Sequence, residues 1–178
     1  MSVTWAWVVE TARLRMTPVG YWDLPDLIQL KSDPRAFALM LGGVRSPVQT
    51  AEELAQDIQG WGKNGYGMWA VRAKRGKFLG ITALMNRADG LGVALRFAFY
   101  PEARGFGLAR EAASAALIYA HDTAHLPEVI AVAREDNYGS REVLSSIGMS
   151  RVREFNRNGN LMIVYQSIKL SSPRVNSA

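Results

Sequence analysis

A chain of 178 residues with 48% apolar content has the size of one domain around one core, so no second domain is expected. With no cysteine it can form no disulfide, thiolate metal site or cysteine nucleophile, and its redox compartment stays open. Its 21 basic residues outnumber 16 acidic ones to give +5, a charge too dispersed for a nucleic-acid tract; the arginine excess fits phosphate recognition or GC-rich codons equally.

The chain opens on Met1-Ser2-Val3-Thr4-Trp5-Ala6-Trp7, which lacks the basic and apolar segments of a secretion signal, and no apolar run approaches membrane-spanning length. A soluble cytoplasmic protein with no membrane partner is expected. Residues 1–8 read as an N-terminal extension in which Trp5 and Trp7 either form an exposed patch suited to a homodimer or pack under a domain spanning 9–170. A strand is predicted near 12–18, then helices near 23–31, 34–41 and 50–63, and strands near 67–73 and 78–86 joined by a hairpin turn at Lys74-Arg75-Gly76.

A strand near 92–100 carries the aromatic run Arg96-Phe97-Ala98-Phe99-Tyr100 into Pro101-Glu102-Ala103-Arg104-Gly105-Phe106-Gly107-Leu108-Ala109. There a glycine turn opens an alanine-rich helix near 107–123, with Leu108, Ala112, Ala115, Ala116 and Tyr119 at helical spacing. Small residues admit a ligand to the backbone, and the first turn of a helix offers unpaired N–H groups at the positive end of its dipole. The junction is therefore predicted to hold phosphate. Gly105-x-Gly107 would also open a dinucleotide fold, but the third glycine of that fingerprint is Arg110 and nearly a hundred residues precede the loop. His121 and His125 close the helix at a metal-like spacing. With no third ligand nearby they are read as a polar end that complements the helix dipole, and no metal is expected.

Next come a strand near 128–134 and a helix near 138–147, capped by Asp136 or Asn137, with Ser140, Val143, Leu144 and Ile147 on one face and Gly148 as its stop. Strands near 150–156 and 160–169 follow, joined at Asn156-Arg157-Asn158-Gly159, and 171–178 read as a disordered tail. The order implies an α+β fold. Its central sheet is mixed and mostly antiparallel, of about seven strands, with helices on both faces. The strand-helix-strand from 92 to 134 is the parallel exception, and its right-handed crossover puts the helix start beyond the carboxyl end of the first strand.

Arg104-x-x-Gly107-x-Ala109, followed by a strand and then Asn137-x-x-Ser140-x-x-Val143-Leu144-x-x-x-Gly148, resembles the acetyl-CoA site of the GNAT acyltransferase superfamily. Glu10-Thr11-Ala12-Arg13-Leu14-Arg15-Met16, Gly67-Met68-Trp69-Ala70-Val71 and Lys77-Phe78-Leu79-Gly80-Ile81 are similar to the branch of ribosomal-protein N-terminal acetyltransferases, so the likeness spans about residues 9–169. It implies that the parallel strands splay, that pantetheine enters the gap beside the backbone of Phe97 and Phe99, and that Arg104, Gly105, Phe106, Gly107, Leu108, Ala109 and Asn137 hold the cofactor. An N–H near Phe99 would steady the oxyanion.

Amide formation from a thioester needs a neutral amine and a proton for the departing thiolate. Ser140 is the candidate acid, one turn from Asn137, although the position also suits a first-turn capping residue. The tyrosine many members use as acid is Leu144 here, and their glutamate on the strand before the loop is Ala94. Glu154 stands where the ribosomal-protein branch carries its proposed base, and it reads equally as a solvated charge between Arg153 and Phe155. Trp22, Phe37 and Tyr66 are candidates for the acceptor site, opposite the cofactor. Neutralising an α-amine at pH 7 costs roughly 1 kcal/mol and a lysine about 5 kcal/mol, so a site without a strong base favours the α-amine of a protein or peptide. A small-molecule acetyltransferase acting on a polyamine or antibiotic, or a catalytically silent CoA-binding module, are the alternatives.

Overall fold

Apolar runs produce the expected strands, continuous in β3 (Met68–Ala73) and β4 (Phe78–Asn86) because both faces of the sheet are covered, and the two hairpin turns close antiparallel pairs as predicted. The computed structural model describes residues 5–170; the predicted tail at 171–178 lies outside them. Strands β1 (Val9–Glu10), β2 (Leu14–Pro18), β3 (Met68–Ala73), β4 (Phe78–Asn86), β5 (Val93–Phe99), β6 (Glu128–Arg134), β7 (Ser150–Arg157) and β8 (Asn160–Ile168) form one sheet, ordered β1-β2-β3-β4-β5-β6-β8-β7. The eighth strand beyond those expected is β1, whose two residues are too few to write a periodic pattern.

Among the described residues five α-helices flank the sheet: α1 (Leu24–Ser32), α2 (Pro34–Phe37), α3 (Pro47–Asn64), α4 (Leu108–Ile118) and α5 (Tyr138–Ser146). Local chemistry sets their ends. Ser46 and Gln49 cap the start of α3 reciprocally, and left-handed Gly65 ends it. Helix α2 stops at Phe37 rather than near 41, because the chain turns tightly there and enters two left-handed glycines, Gly42 and Gly43. Helix α4 stops at Ile118 rather than near 123, where a wide turn over Tyr119–Thr123 lets the N–H of Ala124 donate to the carbonyl of Tyr119 at 2.9 Å. His121 sits in that turn with both ring nitrogens engaged, one on the Leu126 carbonyl at 2.7 Å and one on the Ser167 hydroxyl at 2.9 Å.

Among the described residues two large cores lie on opposite faces of the sheet, and a small third cluster of Ala94, Ile130 and Val164 sits where β5, β6 and β8 meet. Helices α4 and α5 cover one with Leu84, Leu95, Phe99, Ala112, Ala116, Val129 and Leu144, and α1 to α3 cover the other with Leu27, Leu30, Leu54, Ile81, Ala83 and Ala98. Trp7, from the predicted extension, stacks on Trp61 at 5.3 Å, and its carbonyl accepts from the Trp69 indole at 2.7 Å. It belongs to the core, not to an exposed patch.

Among the described residues, one side-chain polar atom wholly sealed from solvent is unsatisfied. Thr82 is fully buried on β4, between Trp69 of β3 and Phe97 of β5, and its hydroxyl has no partner there. Valine keeps the shape and removes the stranded hydroxyl, so Thr82→Val is expected to stabilise the fold by about 1 kcal/mol, read as a rise of about 3 °C in melting temperature.

Candidate active site

Only one register pair, Ala94↔Ile130, joins β5 to β6, while each strand pairs along its length with its other neighbour. Beyond that pair the two strands part, as the resemblance implied, and a gap opens toward the carboxyl end of β5. The loop before α4 closes the end of the gap.

That loop is a cradle of amides. Gly105 and Gly107 adopt left-handed φ values of +83° and +74°, the kind of backbone that can gather successive N–H groups around an anion. The ladder of α4 begins with the N–H of Glu111 on the Gly107 carbonyl at 3.0 Å. The amides of Gly105 through Arg110 are left without a backbone acceptor among the described residues, at the positive end of the helix. A polyanion is what such a set of donors can hold.

A brace fixes the cradle from behind. The Glu111 carboxylate accepts from the Thr11 hydroxyl at 2.6 Å, from the Arg13 N–H at 2.9 Å and from the Arg13 guanidinium at 2.6 Å. Arg13 in turn donates to the Phe106 carbonyl at 2.7 Å. Burial opposes ionisation of Glu111, but these hydrogen bonds outweigh it and hold its carboxyl below the usual range. Glu111→Ala is expected to cost about 2 kcal/mol in denaturant melts and to weaken binding of the loop's anionic ligand by about tenfold in calorimetry.

Two cavities meet at the splayed strands. The first, about 700 Å³, is lined by Arg104, Gly105, Gly107, Leu108, Ala109 and Tyr138, among others. The second, about 280 Å³, lies toward α1 to α3 and is lined by Phe37, Glu53, Asp57, Arg96 and Phe155, among others. Leu39, Met40, Phe97, Asn137 and Ser140 line both, so the passage between them runs past Phe97 and the first turn of α5.

Most predicted site residues converge here. Phe97, Phe99, Arg104, Gly105, Gly107, Leu108, Ala109, Asn137 and Ser140 all line the larger cavity. Phe106 does not line it and is 65% exposed. Arg104 donates to the Arg35 carbonyl at 2.9 Å and to the Phe99 carbonyl at 3.2 Å, tying α2 to the end of β5. The Asn137 side chain accepts from the N–H of Ser140 at 3.2 Å as the cap of α5. That leaves the Ser140 hydroxyl unengaged among the described residues.

Three candidates stand elsewhere. Trp22 is 68% exposed and covers Gly20, away from both cavities. Tyr66 donates to Asn86 at 2.8 Å, and its side chain reaches neither cavity. Glu154 is half exposed and paired with Arg151; since Phe155 and Arg157 on the same strand line the smaller cavity, the pleat turns Glu154 to the other face. Phe37 alone of the proposed acceptor residues lines the cavity, buried beneath Lys31 and Arg45 at 5.9 and 5.6 Å from its ring centre.

The smaller cavity holds charge that sequence reasoning missed. Glu53 accepts from Lys31 and from Arg45, each at 2.6 Å, and so neutralises part of that pair. Asp57, 7% exposed, has no hydrogen-bond partner among the described residues. Burial, opposed by Lys31 and Arg96 and reinforced by Glu53, pushes its carboxyl up to about 6. Arg96 faces the same space, and burial, with the nearby charges of Arg87 and Arg45, lowers its pKa. It too lacks a hydrogen-bonded acceptor among the described residues. Each left a trace in the sequence: Arg96 interrupts the apolar strand 93–99, and Asp57 falls on the stripe Thr50, Leu54, Asp57, Trp61 that α3 buries.

A family model described as an acetyltransferase (GNAT) domain matches residues 13–150. Among solved structures, an acetyltransferase from Agrobacterium tumefaciens is similar with 23% identity and a TM-score of 0.79, over 90% of this chain and 93% of that one. A ribosomal L7/L12 alpha-N-protein acetyltransferase in complex with coenzyme A matches with 15% identity and a TM-score of 0.75, over 90% and 97%. A point mutant of the spermidine N-acetyltransferase from Vibrio cholerae matches with 13% identity and a TM-score of 0.71, over 89% and 95%. At these identities the likeness is one of fold.

Proposed function

The chain belongs to the GNAT acetyltransferase family, and from that premise we propose that it transfers the acetyl group of acetyl-CoA to a primary amine, the α-amine of a protein or peptide, by direct attack while both substrates are bound. The observation that carries the reading is the junction of the two cavities. An amide cradle for a diphosphate opens the larger one, and the smaller meets it at Phe97, Asn137 and Ser140.

The residues present fit coenzyme A. The amides of Gly105 through Arg110 would take the diphosphate, and the free backbone edges of β5 and β6 beyond Ala94↔Ile130 offer pairing groups to an extended pantetheine near Phe97 and Phe99. Bound there, acetyl-CoA supplies an activated acyl group. Ser140 is placed to give a proton to the departing sulfur, because its N–H is held by Asn137 and its hydroxyl is left free beside the passage. Helix α5 holds that hydroxyl in place from its first turn.

The test is an amine panel incubated with acetyl-CoA at neutral pH, read by release of free CoA and by the acetyl mass shift of the acceptor. α-Amino peptides should be turned over in preference to lysine side chains. Equal turnover of the two counts against the α-amine, and saturable binding of acetyl-CoA with no CoA released from any amine would make the chain a silent binding module. Preferred turnover of a polyamine would move the acceptor to the small-molecule class.

A further inference from the structure

The smaller cavity is charged in a particular way. Six basic side chains line it, each from a different element or its flank; Glu53 occupies Lys31 and Arg45, Asp89 occupies Arg87, and Asp136 occupies Arg134, while Arg157 at the end of β7 is exposed to solvent. Away from solvent, Arg96 and Asp57 are the cation and the anion left with no hydrogen bond among the described residues. They are also not bonded to each other, although each lies in the other's field. A cation and an anion, neither hydrogen-bonded, that line one small cavity from β5 and from α3 form a cradle for a molecule that carries both charges.

We infer that the acceptor is an amino-carboxylate, with Arg96 holding its carboxylate and Asp57 receiving its ammonium group and taking a proton from it. This rests on the acetyl-transfer reading and narrows its substrate. The shared chemistry is an amine and a carboxylate a few bonds apart, as in a free amino acid or in an acidic residue at a peptide N-terminus. A cavity of about 280 Å³ admits one such unit beside Phe37.

The proton balance closes with these two groups and Ser140. The ammonium passes one proton to the Asp57 carboxylate and becomes the nucleophile. Its nitrogen forms the new C–N bond as the C–S bond breaks, a second N–H proton replaces the one Ser140 delivers to sulfur, and Asp57 releases its proton to water. Arg96 takes no part in the transfer and acts through position. A guanidinium also disfavours a bare cation, which argues against an acceptor that is only positively charged.

The experiment measures kcat/KM with acetyl-CoA saturating, for free aspartate and glutamate, for tripeptides beginning with Asp or Glu, for the same tripeptides beginning with Ala or Ser, and for spermidine. Wild type should prefer the acidic acceptors by at least about 10-fold, as expected for one lost charged hydrogen bond. The free-acid and peptide arms identify the source of the carboxylate. Arg96→Lys should keep most of the preference, Arg96→Gln should collapse the ratio toward one, and Arg96→Glu should shift turnover toward spermidine, a gain that misfolding cannot produce. Neutral peptides or spermidine used as well as the acidic acceptors by wild type would overturn the inference and leave acetyl transfer standing. No CoA release with any acceptor would overturn both.

Discussion

Gly107→Val is expected to raise the Kd and KM for acetyl-CoA at least about 100-fold and to leave the folded protein otherwise intact. Gly107 caps α4 at φ +74°, ψ +15°, a region a β-branched residue does not enter without strain of about 1–3 kcal/mol. The chain can relieve that strain only by rotating the peptide planes of the loop, and those planes carry the amides from Gly105 to Arg110 that the proposed function gives to the diphosphate. Substituting Gly65 separates strain from function. It is equally left-handed, at φ +72°, and it ends α3 at a distance from both cavities. Gly65→Val should lower the melting temperature comparably and leave acetyl-CoA binding at the wild-type value. Calorimetric titration of both variants with acetyl-CoA decides it, and a Gly107→Val variant that binds normally would move the diphosphate away from this loop.

The proposed cofactor half of the site is legible in the sequence because its chemistry is local. An amide cradle needs consecutive small residues at a strand-to-helix junction, so Gly105, Gly107 and Ala109 announce it in one short run, and the Asn137 to Ser140 cap does the same for α5. The proposed acceptor half is assembled from distant pieces. Phe37, Asp57, Arg96 and Phe155 come from four elements with no shared motif, and only their packing reveals a cavity. Aromatic residues made poor guides: Trp22 and Tyr66 went to a turn and a surface hydrogen bond, while the informative residues were charges out of place in apolar patterns. Glu154 failed for a reason of period. On a strand the neighbours of a cavity-facing residue face away, so its alignment with Phe155 and Arg157 settles which face it takes. The splay of β5 from β6 has no sequence marker at all beyond the family likeness, because the residues around Ala94 and Ile130 are apolar whether or not the strands pair.

Asp57→Asn is expected to lower kcat about 100-fold while making the protein more stable above pH 6. A buried carboxylate that must ionise to accept a proton is a cost to the fold, and the two effects have one origin. Folding raises the Asp57 pKa from its ordinary value of 3.8 to about 6, burial being the main cause, with Lys31 on α1 and Arg96 on β5 opposing it and Glu53 on α3 adding to it. The folded state therefore holds this proton more tightly than the unfolded chain does. Below about pH 4 both states are protonated and nothing is lost. Stability then falls as pH rises from about 4 to about 6, and above that the whole penalty remains, on the order of 2–3 kcal/mol from a shift of this size. Asparagine carries no such term, so denaturant melts of wild type and variant should converge at pH 4, diverge through pH 6 and run parallel beyond it. Activity should show the complement. Wild-type kcat should climb through about pH 6 as Asp57 ionises, and the variant should lose that limb along with the about 100-fold expected for removing a general base. A variant less stable than wild type at pH 8, or one that keeps its kcat and the acidic limb, would assign Asp57 to packing and leave the amine to lose its proton to water.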